Sequence, residues 1–160
     1  MIRLSKMTDY ALILMTYMAR NQERELHTSG GMAQESRLPL PTVTKVLKGL
    51  QQGGLLVSHR GTKGGYSLAR GPREISVAEV IAAIEGPLAL TECCAQTRGV
   101  CELEPHCPMK ENSRVLSRVV RGALEQVMLA DLMHPLHVVT IKDARGRSAP
   151  SVGFVSGRIQ

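Results

Sequence analysis

Four cysteines fall within fifteen residues, at Cys93, Cys94, Cys101 and Cys107, and the rest of the chain has none. A disulfide framework would spread its cysteines to close long loops. Cysteines serving only as core filler would be scattered through helices. Gly99, Pro105 and Pro108 interrupt the same stretch, so it reads as a ligand loop. Thiolates are soft donors, which makes zinc and iron–sulfur clusters the candidates. The spacing is not the paired C-x2-C of zinc fingers. Seven residues separate Cys93 from Cys101, six separate Cys94 from Cys101, and five separate Cys101 from Cys107.

A second chemistry lies in the basic residues. The formal charge of +6 belongs entirely to the N-terminal half: residues 1–75 hold eleven Lys/Arg against five Asp/Glu, while residues 76–160 hold nine of each. Such asymmetry points to a polyanion partner for that half, nucleic acid being the usual one. The plainer alternative is a basic protein kept soluble by its charge.

The elements that must position these groups follow from the pattern. Residues 5–20 read as a helix capped by Ser5, with Tyr10 to Ala19 apolar nearly all round and therefore buried. Thr28 or Ser29 can cap a short helix through Met32-Ala-Gln-Glu-Ser. After the Leu38-Pro-Leu-Pro turn, Pro41 suits the first position of another helix. That helix carries Val43, Val46, Leu47 and Leu50 at one-faced spacing and stops at Gly53-Gly54. Leu55 to Arg60, the glycine turn from Gly61 to Gly65, and Tyr66 to Ala69 predict a β-hairpin. Ser76 can cap a helix from Val77 to Glu85, ended by Gly86-Pro87. From Met109 to about Met133 runs the longest helical pattern, with Val115, Leu116, Val119, Val120, Ala123, Leu124 and Val127 in one stripe. A stripe extending over several turns favours packing on a second copy over packing back on its own domain. Residues 134–160 turn to Gly, Ser, Arg and Pro and read as a loose tail.

Short helix, turn, second helix, then hairpin is the order of a winged helix-turn-helix, in which the second helix enters the major groove. Pro41, Thr42, Thr44, Lys45 and Lys48 lie at the start or off the apolar face of that helix. Hydroxyl and ammonium groups there can reach base edges and phosphates. Arg60, Gly61 and Lys63 at the hairpin tip suit phosphate or a narrow minor groove. The fold class expected is thus mostly α with a small β-wing. The expected domains are a winged helix-turn-helix (1–86), a cysteine loop (87–108), a dimerisation helix (109–133) and a tail (134–160).

The 160 residues suit one domain with an appendage. With three Tyr, one Phe and no Trp, the core must be aliphatic, which argues against a β-sandwich. The longest apolar run is about half the ~20 residues of a membrane span. No leader pattern is visible, so a cytoplasmic protein is expected. The five His are scattered and no catalytic constellation emerges. Nor is there a C-x-x-C for a thioredoxin-like enzyme, and the glycine turn joins strand to strand, which does not cradle phosphate.

Thr8-Asp9-Tyr10-Ala11-Leu12, the helix from Pro41, Arg60-Gly61-x-x-Gly64-Gly65-Tyr66, and Val80-Ile-x-x-Ile-Glu-Gly86 followed by spaced cysteines resemble the winged-helix regulators that carry iron–sulfur clusters. That is the family of IscR, NsrR and RirA, and the match covers about residues 1–133. Glu92-Cys-Cys with the spacing to Cys101 and Cys107-Pro looks most like the branch that regulates SUF cluster-assembly genes. The resemblance implies a homodimer on a double-stranded DNA operator, acting as a repressor that senses cluster status, oxidants or nitric oxide. It implies a cluster on Cys93, Cys101 and Cys107, with Cys94 competing for the first position. Members with a 2Fe–2S cluster use a His three residues after the last Cys, where this chain has Lys110. Members with a 4Fe–4S cluster can use an Asp from the partner's first helix, and Asp9 falls there, which favours the four-iron form. The alternatives are a zinc-stabilised DNA-binding module and an adaptor whose long helix is the binding element.

Overall fold

The structure is a computed structural model, and it describes residues 4–61, 63–89, 106–142 and 148–153. The first helix, α1 (Lys6–Arg20), is capped by Ser5, whose Oγ accepts from the Thr8 N–H at 3.3 Å. It buries Ala11, Leu14, Met15, Met18 and Ala19. The apolar run is not buried on every side, because Ile13 is 43% exposed. α2 (Ser29–Ser36) is capped by Thr28. Arg37 then adopts φ 57, and this left-handed residue turns the chain sharply toward α3 (Leu40–Gln52). Pro39 is the cap of α3, so Pro41 sits one position further into the first turn than expected. Both positions tolerate a residue without an N–H.

The hairpin forms as β1 (Leu56–His59) and β2 (Gly65–Leu68), antiparallel, with Val57 opposite Ser67 and Ser58 opposite Tyr66. His27, just before α2, adds a bridge on the outer edge of β2. Its N–H donates to the Tyr66 carbonyl at 2.9 Å, and the Tyr66 N–H donates back at 2.8 Å. The two backbones approach so closely that a Cβ on Gly65 would stand 2.8 Å from the His27 oxygen, so the position requires glycine. α4 (Val77–Glu85) starts with a capping box, in which Ser76 Oγ accepts from the Glu79 N–H and the Glu79 carboxylate accepts from the Ser76 N–H at 2.8 Å.

One core results. Met32 of α2, Val43, Val46, Leu47 and Leu50 of α3, Leu55, Leu56, Ile75 and Val80 pack with the buried face of α1. Its last member comes from far along the chain. Leu129 is 0% exposed, and backbone hydrogen bonds tie it to Ile75 and tie Val127 to Val77, at 2.8 Å each.

That return shortens the long helix. α5 covers Lys110–Glu125 and does not continue to residue 133. Residues 126–130 leave the helix to reach the core, and a 3-10 turn follows at Asp131–Met133. The Asp131 carboxylate accepts from the Met128 N–H at 2.7 Å and fixes the break. The sequence pattern stays apolar through Val127 and Leu129 because both are buried. Burial there belongs to the winged helix and not to a continued helix face. The tail also departs from expectation: β3 (His137–Lys142) and β4 (Ser148–Gly153) form an antiparallel hairpin with Val138 opposite Val152. The β-branched run Val138-Val-Thr-Ile accounts for the strand. No described helix is long and apolar enough to cross a membrane.

Candidate nucleic-acid interface and metal centre

The helix pair α2–α3 and the hairpin β1–β2 hold most of the residues singled out for DNA. The face of α3 opposite Val43, Val46, Leu47 and Leu50 presents Pro41, Thr44, Lys45 and Lys48 to solvent, with Thr42 half-buried. Thr44 Oγ1 donates to the Leu40 carbonyl at 2.9 Å, which leaves its oxygen free to accept from a base amino group. At the wing tip Arg60, Gly61 and Lys63 are exposed. Gly61 has φ +116, a conformation that glycine adopts without strain. A Cβ on Gly64 would collide with the His59 carbonyl oxygen. His59 Nε2 and Ser67 Oγ lie 3.0 Å apart across the hairpin.

Lys45, Lys48, Arg60 and Lys63 have no carboxylate partner among the described residues. Several cations elsewhere are engaged. Arg70 pairs with Glu79 at 2.7 Å, Arg114 with Glu111 at 3.3 Å, and Arg20 donates to the carbonyls of Leu132 and Met133. Four exposed cations without a carboxylate partner among the described residues thus lie on α3 and the wing. A cleft of about 340 Å3 lies between the start of α2 and the wing, lined by Thr28, Ser29, His59, Arg60 and Tyr66. A side chain that pattern reading missed is His27. Burial lowers its pKa and the nearby Arg24 guanidinium lowers it further, against an opposing effect of Glu23. It packs edge-on against Tyr17 with ring centroids 5.6 Å apart.

The cysteine stretch lies mostly outside the described residues: Cys93, Cys94 and Cys101 belong to residues 90–105, while Cys107 is half-buried immediately before α5. The Cys107 carbonyl accepts from the Lys110 N–H at 3.3 Å, so this cysteine is anchored to the first turn of α5. At the other end of the stretch, Arg121 of α5 donates to the Leu88 carbonyl at 3.2 Å. Both flanks of the segment are thus tied to one helix. Asp9 is exposed in the first turn of α1 and has no hydrogen-bond partner for its carboxylate among the described residues. Among those residues no three His, Cys, Asp or Glu side chains converge on one point.

α5 itself is divided. Its inner face packs through Leu124 on Val77 and Ile81 of α4, and Ser117 is buried. Its outer face leaves Val115, Leu116 and Val119 exposed at 47%, 53% and 63%.

The family model for Rrf2, described as an iron-dependent transcriptional regulator, matches residues 4–135. The chain belongs to the Rrf2 family. It is 32% identical over 132 residues to the HTH-type transcriptional regulator NsrR of Shouchella clausii, covering 82% of this chain and 89% of that one. It is 28% identical over 148 residues to the HTH-type transcriptional regulator IscR of Cronobacter sakazakii, covering 92% and 90%. Among solved structures it is similar to CymR, the global cysteine regulator of B. subtilis, with a TM-score of 0.64 and 25% identity over 83% of this chain and 97% of that one. This Rrf2 chain is a DNA-binding transcriptional regulator of mostly helical fold with a two-stranded wing, and not an enzyme. The similarity spans relatives named NsrR, IscR and CymR and does not single out the SUF branch. The family match ends before the β3–β4 hairpin.

Proposed function

We propose that this Rrf2 chain is a homodimeric repressor whose operator affinity depends on an iron–sulfur cluster, with SUF-type cluster-assembly genes as its targets. The observation that carries the reading is the donor set: four thiols within fifteen residues, the last of them anchored at the start of a helix with an exposed apolar face. That chemistry fits soft thiolate ligation. Cys93, Cys101 and Cys107 would hold the cluster, with Cys94 as the other candidate for the first position. Asp9 of a second copy would complete the set, since the ammonium of Lys110 has no lone pair to offer. When bound, the cluster would supply sensitivity to iron supply, oxidants and nitric oxide.

The rest of the work falls to the chain's own residues. α5 brings two copies together through Val115, Leu116 and Val119. Two-fold symmetry then sets the spacing of the two α3 helices to that of two half-sites. Thr42, Thr44, Lys45 and Lys48 meet base edges and phosphates in the major groove. Arg60 and Lys63 hold the backbone beside it. Ordering the 87–108 stretch biases the separation of the α3 helices, because Leu88 and Cys107 are both bonded to α5.

Anaerobic purification followed by a visible spectrum and iron, sulfide and zinc analysis tests this reading. A brown protein with stoichiometric iron and sulfide, bleached by oxygen or nitric oxide, is expected. The iron-to-protein ratio separates four-iron from two-iron forms. A colourless protein with one tight zinc would replace cluster sensing by a structural metal.

A further inference from the structure

Glu85 is the last residue of α4, where a carboxylate opposes the helix dipole. Nothing on α4 explains it. Its Oε1 accepts instead from the Ser5 N–H of the α1 cap, at 2.8 Å, and from the hydroxyl of Thr8. Thr8 is 0% exposed and occupies the third position of α1. In a capping box that position holds a Glu that reaches back to the cap N–H. Here the role passes to a glutamate supplied from α4, 80 residues along the chain. The carboxyl is held below its ordinary value by the Thr8 hydroxyl first and the Ser5 N–H second, against opposing burial.

The position of Glu85 in the chain gives this tie a consequence. Gly86 follows with φ +85, a pivot that a side chain would strain. Two residues later the Leu88 carbonyl is held by Arg121. The entrance to the cysteine segment is therefore gripped from both sides, by α1 through Glu85 and by α5 through Leu88. α1 packs on α3 as well as on α4, so its first turn is one helix away from the residues proposed to read DNA.

We infer that Glu85 is a positioning residue, the point at which the cysteine segment acts on α1 and through it on α3. The inference rests on the proposed reading that this segment governs operator binding. Displacing the chain at Gly86 moves the Glu85 carboxylate, releases the cap of α1 and lets α1 shift against α3.

Hydrogen exchange on the full-length protein tests the tie directly, with anaerobically loaded and metal-free samples in parallel. Glu85→Ala should raise exchange in both α1 and α3 (residues 40–52) by about fivefold or more in the metal-free protein. Glu85→Gln should restore it to near wild type, because both bonds end on one oxygen that glutamine keeps. Glu79→Ala, which loosens the start of α4, should raise exchange in α4 only. Thr8→Val removes one of the two donors and should give the Glu85→Ala pattern at smaller amplitude. It serves if Glu85→Ala does not fold.

Operator affinity is then read on a duplex selected by this protein from a random pool. Wild type should show a loaded-to-metal-free ratio of about 5–150-fold. Glu85→Ala should bring it to about one with iron content unchanged. Exchange confined to the first turn of α1, or a wild-type ratio in Glu85→Ala, overturns the inference. A wild-type ratio of one sinks cluster sensing instead, and the tie then stands or falls on exchange at 40–52.

Discussion

The winged helix and α5 use the same aliphatic residues to opposite ends. In the winged helix, Leu14, Val46, Leu47 and Leu50 are each 0% exposed. On α5, Leu116 and Val119 are more than half exposed. The first unit is closed on all sides once Leu129 joins it from beyond α5; the second is closed on its inner face and open on its outer one. A row of exposed Val and Leu on one helix is the pattern of an interface. The stability of the first unit should therefore not depend on protein concentration, whereas the burial of α5 should.

The comparison breaks most visibly at the core. Leu47→Ala should cost about 2–5 kcal/mol, read by chemical denaturation, and should take DNA binding with it. Val119→Glu should instead leave the winged helix folded. It should weaken the proposed self-association by roughly a hundredfold, or about 2.7 kcal/mol, seen as a smaller sedimenting mass than wild type at the same concentration. Unchanged mass in that variant would remove α5 as the interface. Ser76→Ala sharpens the picture at a smaller scale, since loss of the α4 cap should cost about 1 kcal/mol and leave the oligomer intact. The smallest effect concerns acid. The Glu85 carboxyl is held below its ordinary value of 4.5, so the folded state binds that proton less tightly than the unfolded one. Its contribution is present above the ordinary value and lost as pH falls through the lowered one. Between about pH 5 and about pH 3, wild type should lose more melting temperature than Glu85→Gln. Parallel curves would remove Glu85 as an ionised cap.

Much of the winged helix could be read from the chain because its signals are local. Ser5, Thr28 and Ser76 cap the helices that follow them, Gly53 stops α3, and the glycines from Gly61 to Gly65 turn the hairpin. The exposed cations of α3 and the wing were legible for the same reason: the apolar residues fix which face remains outside. The end of α5 was not legible. Val127 and Leu129 continue an apolar pattern, and only the backbone bonds to Val77 and Ile75 show that they serve another unit. Glu85 and Arg121 were equally silent, since each bonds a group 33 or more residues away. The β3–β4 hairpin was overlooked because Gly, Ser and Pro dilute its strands. Cys93, Cys94 and Cys101 lie outside the described residues, so their geometry adds nothing to what their spacing says.

The burial of Leu129 carries a consequence for synthesis. Ribosomes release the chain from its start, so the helices and wing of the proposed DNA interface emerge first. Their core nevertheless lacks its last side chain until the cysteine stretch and α5 have followed. A nascent or truncated product ending among the cysteines would be an incomplete winged helix. Any fragment that stops short of Leu129 thus lacks a fully buried member of the winged-helix core.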